Sequence, residues 1–229
     1  MIKYPLNILF VFLFSIFSYA QNVSVLKDSI CISKECFELQ ELKIETKNTV
    51  IYKKIQKSYD LFNGVFFDSP EKRLNAKKDT LKNLISTNSL RDYQFGFEKY
   101  KIFLNKNGLL NVSVHIQSYG SPWEYTIYYF FDEMNDTEVG EKLFMNKKML
   151  LQICGKKLRT DNNAFVPIKN LNQYKIDTSI EGKIIGINLI FYDEKSRTNS
   201  GYPEHSVYFT WKEIEKFIVP QYRRRLTQY

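Results

Sequence analysis

Histidine, cysteine, glycine and proline are all scarce in this chain. Two histidines among 229 residues leave little material for imidazole catalysis or for a zinc site, which draws on closely spaced histidine and cysteine ligands. Three cysteines make no disulfide framework, and a chain this long buries a full core without one. Nine glycines and six prolines exclude a collagen-like repeat and a low-complexity linker. Also missing are a Gly-rich phosphate loop, a Ser-centred nucleophile elbow and a metal-binding helix motif. What is present is the composition of a globular domain: 44% hydrophobic and 25% charged residues, with an aromatic share of 16%.

The N-terminus reads as an export signal spanning residues 1–20. Lys3 is a short basic region, and Leu6 to Phe17 is almost continuously apolar. Ser18-Tyr19-Ala20 before Gln21 fits a small-x-small cleavage site. The apolar stretch is shorter than the roughly 20 residues of a transmembrane helix, and the rival reading is an uncleaved N-terminal anchor. No later stretch spans a membrane, so no stable span is expected once the signal is removed. The expected location is periplasmic or secreted.

The formal net charge is +8, which suits an anionic partner or surface. Nucleic acid is not expected, since no recognition motif accompanies the charge. The densest basic run, Arg223-Arg224-Arg225, reads as a solvated tail. Cys31 and Cys36 lie close enough in sequence for a short disulfide loop in an oxidising compartment. Cys154, within the apolar-rich run Met149 to Cys154, then reads as a buried small hydrophobe.

Residues 21–36 are polar without a clear period and read as a loose N-terminal segment, leaving 37–229 as a single domain. Phe37, Leu39, Leu42 and Ile44 suggest a strand with a slip at Gln40-Glu41, and Val50 to Ile55 a second strand. Ser69-Pro70 is a helix start, an N-cap followed by proline at the first helical position. It predicts a helix over 70–88, with Lys77, Lys78 and Lys82 on a solvated side. Strands are expected at 95–104, 109–118 and 123–131. Asn107-Gly108 supplies the hairpin turn between the first two. Val112, Val114 and Ile116 should be buried, with Asn111, Ser113, His115 and Gln117 on the opposite, solvent-facing side. A helix near 146–158, a central strand at 184–192, a short strand at 207–209 and a capped helix from Thr210 complete the reading. The sum is an α+β fold: an antiparallel meander sheet with helices packed on one face.

The order of these pieces resembles a known family. Leu109 to Gly120 runs into an aromatic strand ending in Phe130-Phe131-Asp132. Gly140-Glu141-Lys142-Leu143 follows, and Val207-Tyr208-Phe209-Thr210-Trp211-Lys212-Glu213-Ile214 comes near the end. This is similar to the extracellular α+β domain of RsiV-type anti-sigma factors, which is also appended to some peptidoglycan deacetylases. The likeness covers about residues 40–218. It implies lysozyme as a ligand. Where that family commonly has Gly-Ala-His after its tyrosine turn, this chain has Gly120-Ser121-Pro122-Trp123.

Tyr119, Trp123 and Tyr125 are the binding candidates, because such side chains offer large contact area with a polar tip. The competing reading places the same aromatics in the core of the meander. His115 and His205 read as surface histidines. Asp132, Glu133, Asp136, Glu138 and Glu141 surround a turn without the spacing of a calcium loop. No metal and no cofactor is expected. The function expected is that of an exported, non-enzymatic binding protein, an inhibitor or immunity protein. Its partner would be a protein or cell-envelope component such as a lysozyme-like hydrolase. The alternatives are an envelope-modifying enzyme, whose carboxylates the sequence does not single out, and a surface assembly factor.

Overall fold

A computed structural model describes residues 23–32, 35–45, 47–87, 89, 98–117, 123–162, 166, 168–198 and 201–228. The proposed signal lies outside them. Strands β3 (Glu98–Lys106), β4 (Leu109–Gln117) and β5 (Glu124–Asp132) pair antiparallel in sequence order, and the two-residue β6 (Thr137–Glu138) closes the sheet. Asn107 and Gly108 both have positive φ, 53° and 68°, the backbone that a two-residue hairpin turn needs to match the twist of its strands. Val112, Val114 and Ile116 are buried together, each worth about 1.5–3 kcal/mol of transfer free energy. His115 and Gln117 remain half-exposed.

The fold is α+β, as expected, and both faces of the meander are covered. Asn111 and Ser113, expected to face solvent, are buried. A second sheet lies against their side, formed by β7 (Tyr174–Thr178), β8 (Ile184–Tyr192) and β9 (Glu204–Thr210), with β8 central. Asn111 joins the sheets. Its amide donates to Tyr129 O at 2.8 Å and Tyr174 O at 3.1 Å, and its Oδ1 accepts the Ile176 N–H at 2.7 Å. Leu104, Leu109 and Phe130 share this core with Tyr174, Ile187 and Phe209. Sequence reading missed β7, whose five residues are too few to show a period.

The opposite face packs on a different layer. Strands β1 (Ser24–Ile32) and β2 (Glu35–Lys43) form a nine-pair hairpin, in which Cys31 faces Cys36 and the two are disulfide-bonded. The segment expected to be loose is therefore largely strand. Its polar centre, Lys27-Asp28-Ser29, hides the alternation that places Leu26 and Ile30 against Leu39. Nor does β2 slip at Gln40-Glu41. Residues 39–42 are buried on both faces, which mimics a slipped period.

Val50 to Ile55, read as a strand, belongs to helix α1 (Thr49–Gln56). Ile51, Tyr52, Ile55 and Gln56 form its buried face, so tertiary packing overrides the β-branched composition. The cap comes from far along the chain: the Asp136 carboxylate accepts the Val50 and Ile51 N–H groups at 2.9 and 3.0 Å. Helix α2 (Pro70–Ser86) starts at the Ser69 cap, whose hydroxyl accepts the Lys72 N–H at 3.2 Å.

The helices divide between the layers. Leu74 and Leu81 of α2 join Leu39 beneath the hairpin. Leu150, Cys154 and Leu158 of α3 (Lys147–Asn162) join the inter-sheet core. Helix α3 continues to Asn162, beyond the expected end near 158. Thr210 and Glu213 form the expected capping box of α4 (Trp211–Ile214), and a 3₁₀ turn at Glu215–Phe217 follows. The basic tail is a docked helix, α5 (Pro220–Thr227), with Leu226 buried. Among the described residues no helix is long and apolar enough to cross a membrane.

Candidate functional site

Of the three aromatic candidates the structure describes Trp123 and Tyr125, and both border one cleft. Tyr119 lies outside the described residues, with Gly120 to Pro122. Tyr125 points into the meander core beside Tyr129, and its hydroxyl donates to Ser58 O at 3.0 Å. Burial raises its phenol pKa. Trp123, just before β5, is half-buried. Its ring meets Tyr202 edge to face at 5.2 Å, and the Arg197 guanidinium lies 4.4 Å from the ring centroid. The loop carrying Arg197 and Tyr202 crosses the start of β5 at Gly201, where a Cβ would overlap the Glu124 carbonyl oxygen.

Trp123 and Tyr202 stand at a cleft of about 590 Å³, bounded by β5, the end of β8 and residues 169–173. Asn170, Gln173 and Tyr192 also line it. The cleft runs along the outer edge of β5, whose exposed backbone groups would otherwise invite another strand. Among the described residues two side chains occupy that edge. Gln173 Oε1 accepts the Tyr128 N–H at 2.7 Å, and the Tyr192 hydroxyl donates to Thr126 O at 2.6 Å. The Glu204 carboxylate lies 3.2 Å from the Tyr192 hydroxyl and accepts from Tyr128 at 3.4 Å. Burial first, then the Glu204 charge, raises both phenols. Lys169 and Glu194 pair at 2.7 Å on the exposed rim.

Among the described residues His115 meets Thr126 and Glu124: its Nδ1 is 3.1 Å from Thr126 Oγ1 and its Nε2 3.6 Å from Glu124. His205 is half-exposed on β9. The acidic residues around the β5–β6 turn are dispersed to separate tasks. Asp132 binds Arg225, Asp136 caps α1, Glu138 pairs with Lys54 and Glu141 with Lys147. Among the described residues no group of three or more His, Cys, Asp or Glu side chains is arranged to hold a metal.

A buried ionic cluster went unread in the sequence. Glu41, Arg73, Lys77 and Glu98 are each at most 1% exposed. Arg73 Nη1 donates to Glu41 at 2.7 Å, and Nη2 to Glu98. Lys77 Nζ lies 2.7 Å from Glu41, 2.8 Å from Glu98 and 2.7 Å from Gln40 O. Tyr52 donates to Glu41 at 3.2 Å, and Arg73 to the Tyr100 hydroxyl at 3.3 Å. Burial pushes the Glu98 carboxyl upward, but Lys77 and Arg73 outweigh it and hold it below the ordinary value. Lys77 is thus no surface residue. Two cations and two carboxylates neutralise one another and tie α2 to β2 and β3, a structural arrangement sealed from solvent.

Arg197, Tyr202 and the amides at 170–173 were also absent from the sequence reading. They sit on irregular segments without hydrophobic period, so only the folded chain brings them to Trp123. No family model and no curated protein matches the sequence. The fold is similar to the crystal structure of a DUF3298 family protein from Pseudomonas aeruginosa PAO1. The TM-score is 0.52 at 8% identity, over 90% of this chain and 97% of that one. At that identity the likeness is one of fold alone.

Proposed function

We propose that this chain is an exported, non-enzymatic binding protein that engages a protein or cell-envelope partner through the cleft at Trp123. The observation that carries the reading is the half-buried Trp123 at the mouth of a cleft of about 590 Å³. Large aromatics beside arginine are the side chains that most often anchor an interface. The apolar N-terminal stretch supports export to the periplasm or beyond. The resemblance to RsiV-type domains makes a lysozyme-like hydrolase the first partner to test, with inhibition or immunity as the role.

The test is a lytic assay with the purified mature chain in molar excess over hydrolases of several lysozyme classes. Slowed lysis by at least one class supports an inhibitor. Undiminished lysis with every class removes that partner. Capture of an envelope component on the immobilised wild-type chain, lost with Trp123→Ala, would then identify the partner the cleft does take.

A further inference from the structure

We propose that the cleft is a saccharide site and that the sugar it takes bears a carboxylate, received by Arg197. This rests on the binding reading above and gives the ligand of the same cleft its chemical class.

An extended peptide would ordinarily bind such a strand edge through main-chain hydrogen bonds. Here the Tyr128 N–H is held by Gln173 and Thr126 O by Tyr192. Strand addition is obstructed at both positions, so recognition falls to side chains. Those side chains are amides and aromatic rings, which match the hydroxyl and C–H faces of a sugar. The amide oxygens are engaged within the protein: Gln173 Oε1 by Tyr128, and Asn172 Oδ1 by the Glu141 N–H at 3.1 Å. That leaves the NH₂ ends as donors for a ligand's hydroxyl or carbonyl oxygens. The volume lies in the range of small-molecule sites, about 300–1,000 Å³.

The rim supplies the charge. Lys169 is already paired with Glu194 at 2.7 Å. Arg197 is exposed and stacks on Trp123, and among the described residues it forms no ion pair. A guanidinium over an aromatic ring keeps its planar N–H fork, which binds a carboxylate through two parallel hydrogen bonds.

The experiment is calorimetric titration of the mature chain with two disaccharides that differ by one lactyl group. One is N-acetylglucosaminyl-N-acetylmuramic acid, which carries the carboxylate; the other is neutral N,N′-diacetylchitobiose. Tetragalacturonate is a third probe, acidic but without acetamido groups. The acidic disaccharide should bind at least tenfold tighter than the neutral one, and Arg197→Ala should abolish the difference while leaving Tm unchanged. Binding of tetragalacturonate with the same Arg197 dependence would support the carboxylate as the group that is read. Equal affinities, a difference that survives Arg197→Ala, or no binding of any of the three would overturn the proposal. Trp123-dependent capture of a protein alongside such a negative would sink the sugar and leave the binding function standing.

Discussion

Arg225, in the last helix, donates to both carboxylate oxygens of Asp132 at the end of β5, at 2.7 and 3.0 Å. The same guanidinium donates to Asn107 O and Gly108 O, and Asn107 Nδ2 donates back to Arg225 O at 2.6 Å. The C-terminal helix is thereby fastened to the turn that organises the meander. Asp132 is buried, and burial pulls its carboxyl upward. Arg225 and Asn135 outweigh that effect and hold it below the ordinary range.

Arg225→Ala should therefore lower stability by about 2–3 kcal/mol, the worth of a bidentate charged hydrogen bond whose partner is left buried. Urea unfolding measures it. Arg223→Ala and Arg224→Ala, on exposed positions of the same helix, should each shift stability by less than about 0.5 kcal/mol. Equal effects from all three would return the run to a solvated tail.

The pH dependence follows from the same pair and from Glu98. Both carboxyls are depressed in the folded state, so their stabilisation is present above the unfolded value near about 4 and is lost as pH falls through the folded value. The urea midpoint should change little between pH 7 and about pH 5 and fall below that. Asp132→Asn should be less stable at neutral pH and show a shallower acid decline. An unchanged acid decline would show that other groups set it.

In the buried cluster, Lys77→Met should destabilise by about 3–5 kcal/mol, because Glu41 and Glu98 lose a cation without access to water. Lys78→Met, where the salt bridge to Asp28 is partly exposed, should cost no more than about 1 kcal/mol. Similar losses at the two neighbours would mean that Lys77 is solvated, as helix periodicity alone suggested.

Denatured, unreduced protein should titrate with one free thiol, since Cys31 and Cys36 are bonded and Cys154 is free. In the native state Cys154 should resist alkylation at pH 8. It is buried, and burial pushes its thiol up to about 12. Removing the bridge by Cys31→Ser/Cys36→Ser should cost about 2 kcal/mol or less, given the shortness of the loop. Three titratable thiols would remove the bridge.

The sequence revealed those elements whose period or turn chemistry is local. Asn107-Gly108, the alternation of Val112 to Ile116, the Ser69-Pro70 start and the Thr210–Glu213 box all state their structure within a few residues. It concealed what depends on distant partners. Thr49–Gln56 is helical because its apolar face packs on β4 and β5 and Asp136 caps it. Lys77 is buried because two carboxylates from other strands meet it. Asn111 looks like a solvent-facing residue until the second sheet is placed over it. Trp123 was legible as an aromatic beside a turn. The cleft it borders was not, because Arg197, Tyr202 and Gln173 come from segments with no pattern of their own.

The central claim is that Trp123 serves recognition rather than the core. Equilibrium affinity for a lysozyme-like hydrolase, measured on the wild-type chain and Trp123→Ala beside the Tm of each, tests it most directly. The account predicts an affinity loss of about 30-fold or more, corresponding to about 2 kcal/mol, with Tm nearly unchanged. A stability loss of about 3–5 kcal/mol with unaltered affinity of the folded protein, as a core aromatic would give, would contradict it.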